Sequence, residues 1–124
     1  YIYNYYFMTI VKMNLDNIYY NLIKTGKKTY ETRVYDGKRQ QLKLLDIIEF
    51  KNRDSNQTFQ AKITELSHFH DFRSAILDCG LKKVMPNARS VDDAVKLYEN
   101  FPHDTGNYKK GAQKYGVLRI KFKL

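Results

Sequence analysis

The chain alternates between two periodicities, and the places where one gives way to the other mark its elements. Thr9 to Met13 read as a short strand. Leu15, Ile18, Tyr19, Leu22 and Ile23 then recur at helical spacing, with Asn14 or Asp16 available as cap and Gly26 placed to end the helix. This predicts an amphipathic helix of about ten residues. From Thr29 the period changes to two: Tyr30, Thr32 and Val34 fall on one face, Glu31 and Arg33 on the other. A carboxylate and a guanidinium therefore stand side by side on a strand. Asp36 and Gly37 mark a turn in "YDGK", "DIIEF" (46–50) reads as a strand, and Thr58 to Leu66 alternates with Phe59, Ala61 and Ile63 inward. The last two strands form a predicted hairpin across the loop "KNRDSN".

The middle of the chain is helical. Phe69, Phe72 and Ile76 lie on one face of a helix ending near Gly80. "SVDDAVKLYENF" opens with Ser90 as cap and Asp93 three residues on, and Val91, Ala94, Val95 and Tyr98 form its apolar stripe between Pro86 and Pro102. The polar stretch "HDTGNYKKGA" is predicted to be a flexible basic loop able to close over a ligand; its two glycines lack P-loop spacing. In "YGVLRIKFKL", Leu118, Ile120, Phe122 and Leu124 alternate with Arg119, Lys121 and Lys123, which predicts an apolar face on the core and a cationic face in water. The fold class that follows is α+β: a small mixed, mostly antiparallel sheet or β-barrel with inserted helices.

Composition narrows the reading without redirecting it. A chain of 124 residues with 43% hydrophobic and 28% charged residues is expected to form one domain around one core, here residues 9–124 after an N-terminal extension at 1–8. That extension, "YIYNYYF" before Met8, reads as an upstream addition to a start at Met8 or as an aromatic edge strand. The lone Cys79 cannot pair internally and reads as a buried thiol in a reducing compartment. No apolar run has membrane-spanning length and no signal peptide is evident, so an intracellular protein is expected.

Charge does redirect it. The formal net charge is +9, and the excess lies in two segments: Lys24 to Lys43, with Glu31 and Asp36 as the acids, and the stretch after Asp104, which has none. If folding joins them, the result is a basic face that attracts phosphates and releases their counterions. The structural alternative is a pair of solvated faces that keep the protein soluble.

With these elements in place, "GKKTYETR" (26–33) resembles the G-x-K-x-x-E-x-R signature of ASCH domains, within the PUA-like superfamily. "LKLLDIIEF" is similar to the family's G-D-x-I strand entry, "SVDDAVKLY" to its Ser-initiated helix and "YGVLRIKF" to its closing Y-G-V strand, so the resemblance spans most of residues 9–124. One departure is Leu45, where the family usually carries glycine, which suggests a different turn. The resemblance implies a PUA-like barrel whose cleft is lined by the signature residues, in a family generally associated with RNA, translation or coactivator complexes. Some small bacterial members are amidohydrolases of N4-acetylcytidine that use a lysine, a threonine three residues later and a distant glutamate. Lys28 matches the lysine, but Glu31 occupies the threonine position, so the hydroxyl nucleophile is missing there.

The leading expectation is therefore a nucleic-acid-binding module, chiefly for RNA. Lys28, Glu31 and Arg33 would meet a nucleotide and Lys27, Lys38, Arg39, Lys109, Lys110 and Lys114 the backbone, with Tyr115 available to stack on a base. The structural alternative pairs Glu31 with Arg33 or with a neighbour across the sheet. The alternative functions are a hydrolase acting on a modified nucleoside or on RNA through Lys28 and Glu31, and an adaptor whose basic face meets an acidic protein. No cofactor is implied. His68 and His70 share one face of a strand but lack further ligands at metal spacing, so no metal is expected.

Overall fold

The computed structural model describes residues 9–124, and the aromatic N-terminal extension lies outside the described residues. In chain order the elements are β1 (Ile10–Leu15), α1 (Asn17–Lys24), β2 (Tyr30–Val34), a 3-10 turn (Arg39–Gln41), β3 (Ile47–Asn52) and β4 (Thr58–Phe69). They continue with α2 (Phe72–Cys79), α3 (Leu81–Val84), α4 (Val91–Glu99), the short pair β5 (Pro102–His103) and β6 (Gly106–Asn107), α5 (Tyr108–Tyr115) and β7 (Val117–Lys123). Five strands form one strongly curled half-barrel in the order β1-β3-β4-β7-β2; β1 and β3 run parallel and every other pair is antiparallel.

Two cores result. Met13, Leu15, Tyr20, Ile48, Phe50, Ile63, Leu118 and Ile120 fill the curl of the sheet. Tyr30, Val34, Phe72, Ile76, Met85, Tyr98, Tyr108 and Val117 join the outer face of β2 and β7 to the helices α2 to α5. The side chains of β2 are consequently covered on both faces, and a strand buried twice has no wet side for a charge to turn to.

Several local expectations change for reasons visible in the packing. Leu15 ends β1 with its side chain in the core, so α1 starts later, at Asn17 after Asp16, and has eight residues. β4 runs on to Phe69 because a register shift between Ile63 and Glu65 lets Leu66 to Phe69 keep pairing with β7. The α2 helix therefore begins at Phe72, where Asp71 accepts the Ser74 N–H at 2.8 Å. Ser90 caps α4 as expected, accepting the Asp93 N–H at 3.0 Å.

The stretch expected as a basic loop is largely ordered structure: the β5–β6 hairpin followed by α5. Asn107 caps that helix by accepting the Lys110 N–H at 2.9 Å, and Tyr108, Gly111 and Ala112 form its buried stripe. A Cβ on Gly111 would stand 3.0 Å from Val34 Cγ2, so glycine is what allows α5 to approach β2. Arg119 departs from the expected wet face of β7. It is 3% exposed, donates to the Ala75 carbonyl at 2.7 Å and to Asp78 at 2.9 Å, and its guanidinium lies between the rings of Tyr30 and Phe69 at 4.9 and 4.8 Å. Leu124, expected inward, is exposed, and Cys79, expected buried, is half-buried, its thiol pushed up by burial.

The turn at Leu45 is left-handed although the residue is not glycine: φ is +71° and the side chain is 56% exposed. That geometry costs a non-glycine residue about 1 to 2 kcal/mol, against about 0.5 to 1 kcal/mol of extra chain entropy for glycine. Leu45→Gly is expected to raise stability by about 0.5 kcal/mol. A lower urea midpoint for the variant would contradict the strain.

Candidate functional site

A half-barrel leaves two unpaired strand edges, and here they are β1 and β2. Side chains close the seam between them. Register places Glu31 opposite Ile120 and Arg33 opposite Leu118, so both project toward the curl of the sheet, at its open edge. Arg33 crosses the seam and donates to the Asn14 carbonyl at 3.2 Å.

Glu31 is the hub. One carboxylate oxygen accepts the Thr32 N–H at 3.0 Å and lies 3.3 Å from Lys28 Nζ; the other accepts from Arg33 at 3.1 Å. The side chain is 7% exposed. Burial favours the neutral acid, but Lys28 and Arg33 on either side outweigh it and hold the carboxyl below its usual range. Burial likewise opposes the charge on Arg33, and Glu31 and the Tyr108 hydroxyl more than offset it, so the guanidinium stays charged.

Lys28 is held by elements distant in sequence. It is 1% exposed; its ammonium donates to the Val84 carbonyl and, at 3.2 Å, to the Tyr98 hydroxyl. Backbone bonds from Lys28 to Leu22 and from Thr29 to Lys83 clip this segment between α1 and α3. Burial lowers the pKa of Lys28, with Glu31 acting against it. Burial also raises the Tyr98 hydroxyl well above its usual value. Tyr98 in turn donates to Val84 and accepts from the Thr32 hydroxyl at 3.3 Å.

In front of Glu31 a cavity of about 130 Å³ opens along the seam, smaller than the roughly 300 to 1,000 Å³ of drug-sized pockets. Its walls are the rings of Tyr19, Tyr98, Phe101 and Tyr108, its polar floor is Glu31, Thr32 and Arg33, and Asp16 and Arg53 also line it. Four rings around a buried carboxylate can enclose one planar group and accept a hydrogen bond from it.

The profile of the ASCH domain family matches residues 13–124. The chain belongs to this family. It is similar to the crystal structure of hypothetical protein PH0355, at 33% identity over 94% of this chain and 98% of that one, with a TM-score of 0.79. The solution structure of protein PF0455 from Pyrococcus furiosus is 28% identical over 92% of this chain and 96% of that one, with a TM-score of 0.71. No protein with a curated description matches. The ASCH family is PUA-like and broadly RNA-binding.

In this ASCH domain the signature residues have unequal places. Glu31 and Arg33 line the cavity, whereas Lys28 stands behind Glu31 and does not. Lys38 and Arg39 line a separate groove on the other side of Arg33. Lys27, Lys109, Lys110, Lys114 and Tyr115 line neither; all five are exposed, and the last four sit on α5, with Lys114 over the Tyr115 ring. His68 packs on the Tyr35 ring and His70 pairs with Asp71 at the surface; no cluster of metal-ligating side chains occurs among the described residues. No helix among them is long and apolar enough to cross a membrane.

Sequence reading missed the aromatic walls. Tyr98 was hidden in an apolar stripe, and Tyr108 lay in the supposed loop. It also missed a brace of Arg39, Asp36 and His103: Arg39 donates to Asp36 at 3.1 Å, and His103 Nε2 is 2.9 Å from the same carboxylate. The Thr105 N–H donates to His103 Nδ1 at 3.1 Å, which places the ring proton on Nε2, toward Asp36. The signal available was the Asp-Gly turn, whose carboxylate this brace uses.

Proposed function

We propose that this ASCH domain binds single-stranded RNA and receives one base in the ring-lined cavity. One observation carries the reading. An ionised carboxylate has about four lone-pair positions, and the three donors on Glu31 leave one for a ligand in the cavity that Glu31 lines. A base with an exocyclic amino group, such as cytosine or adenine, supplies the matching donor, and the rings supply stacking or edge contacts. Recognition of this kind requires an unstacked base, hence a single strand.

Fluorescence anisotropy with a labelled single-stranded oligoribonucleotide tests it. If three to four cations contact phosphates, log K falls with log salt at a slope of about −2 to −3. Binding that ignores salt, or that survives Arg33→Glu in folded protein, would refute the reading.

The second reading is hydrolysis of a modified nucleoside, favoured by the lowered pKa of Lys28 beside Glu31. Two features weigh against it. Lys28 does not line the cavity, its ammonium being held by the Val84 carbonyl and the Tyr98 hydroxyl, and the Thr32 hydroxyl donates to Tyr98 without a base to activate it. Incubation with N4-acetylcytidine and with labelled RNA decides: product that disappears in Lys28→Ala establishes catalysis, and intact substrate at high protein concentration removes it.

A further inference from the structure

On the other side of Arg33 from the ring-lined cavity lies a second hollow of about 160 Å³, between β1, the 3-10 turn and the loop after β3. Its charged lining consists of Lys12, Arg33, Lys38, Arg39 and Arg53, and no acidic residue lines it. Three of these cations have carboxylate partners outside the hollow: Arg33 with Glu31, Arg39 with Asp36 at 3.1 Å and Arg53 with Asp16 at 2.8 Å. Lys12 and Lys38 are exposed and have no side-chain partner among the described residues. With those three pairs counted, Lys12 and Lys38 leave the hollow an uncompensated positive excess, which an anion among them would offset. The Asp36 and His103 brace fixes Arg39 at the rim before any ligand arrives.

The groove and the cavity share a wall. Asn14, Arg33 and Arg53 line both. Arg33 therefore stands between a site suited to a base and a site suited to phosphate.

We propose that the Lys12, Lys38, Arg39 and Arg53 groove is a phosphate subsite, so that the ligand of this domain is a nucleotide or nucleotide chain rather than a free nucleoside. The proposal rests on the cavity being the base pocket only for its choice of ligand; the anion site stands on its own lining. It also moves the backbone contacts from α5, where Lys109, Lys110 and Lys114 are, to the β1 side of the seam. Lys12 and Arg53 enter the interface although neither lies in the two basic segments of the sequence.

The test compares cytidine, its 5′- and 3′-monophosphates and inorganic pyrophosphate, each titrated into wild-type protein and into the Lys12→Ala/Lys38→Ala double variant, with binding followed by amide chemical shifts. Because both lysines are exposed and unpaired, the variant should keep the wild-type melting temperature. A monophosphate is expected to bind wild type about tenfold tighter than cytidine, and the double variant to lose that gain while binding cytidine equally well. Equal affinities for cytidine and both monophosphates, or a gain that survives the double variant, would overturn the subsite. Should cytidine fail to bind while pyrophosphate shifts the groove amides in wild type alone, the subsite stands and the base pocket falls.

Discussion

Lys28→Met should destabilise the protein by about 3 kcal/mol, the low end for breaking a buried ion pair by removing one partner. The methionine fills nearly the same volume, so the loss is electrostatic rather than a cavity. Three acceptors lose their shared donor: the Val84 carbonyl, the Tyr98 hydroxyl and Glu31. The Tyr98 hydroxyl keeps its bond to Val84, and Glu31 keeps Arg33, which is why the effect stays at the low end. Acid should narrow the difference. Glu31 has a depressed pKa in the folded state, so its contribution is present above its unfolded value, about 4.3, and is lost as pH falls through the folded value. Without Lys28 the carboxyl moves back toward its ordinary range and has less to lose, so wild type and variant converge in urea melts as pH is lowered. Parallel pH profiles would mean that Lys28 does not act on Glu31.

Glu31→Gln is expected to have the largest effect on recognition. The substitution is nearly isosteric, but it leaves Lys28 and Arg33 as two buried cations on either side of a neutral amide. Stability falls for that reason, so the informative quantity is a ratio measured on folded protein. A carboxylate accepts from an amino-bearing base and has nothing to offer an acceptor edge, whereas an amide can do both. Preference for cytosine- or adenine-containing oligomers over oligouridine should drop about tenfold or more, within the roughly 1 to 3 kcal/mol carried by a specific base contact. The salt slope should stay near that of wild type, since the phosphate contacts are made elsewhere. An unchanged base preference would place recognition outside this cavity.

Much of the site could be read from period-two alternation, because that pattern reports local geometry. It put Glu31 and Arg33 together on β2, and they are 3.1 Å apart. Lys28 could not be placed that way: the groups that hold it, Val84 and Tyr98, are 56 and 70 residues further along the chain. Arg119 failed for the same physical reason. Alternation assigns a cation to the wet face, but α2 covers that part of β7 and supplies the Ala75 carbonyl and Asp78. The α5 helix was illegible because its buried stripe is only Tyr108, Gly111 and Ala112, and the glycine in it answers to a close approach to Val34 that only the folded chain creates. Leu45 shows the converse. The departure from glycine was visible in the sequence, but the left-handed backbone that a leucine adopts there was not.

Entry of RNA at the seam between β1 and β2 can be followed by titrating a cytosine- and adenine-containing single-stranded oligoribonucleotide into isotopically labelled protein at low salt. Chemical-shift changes are expected to centre on Tyr19, Glu31, Arg33 and Tyr98 and on Lys12 and Lys38, all diminishing as salt is raised. Changes confined to the α5 face around Lys109, Lys110 and Lys114, or none at all, would contradict it.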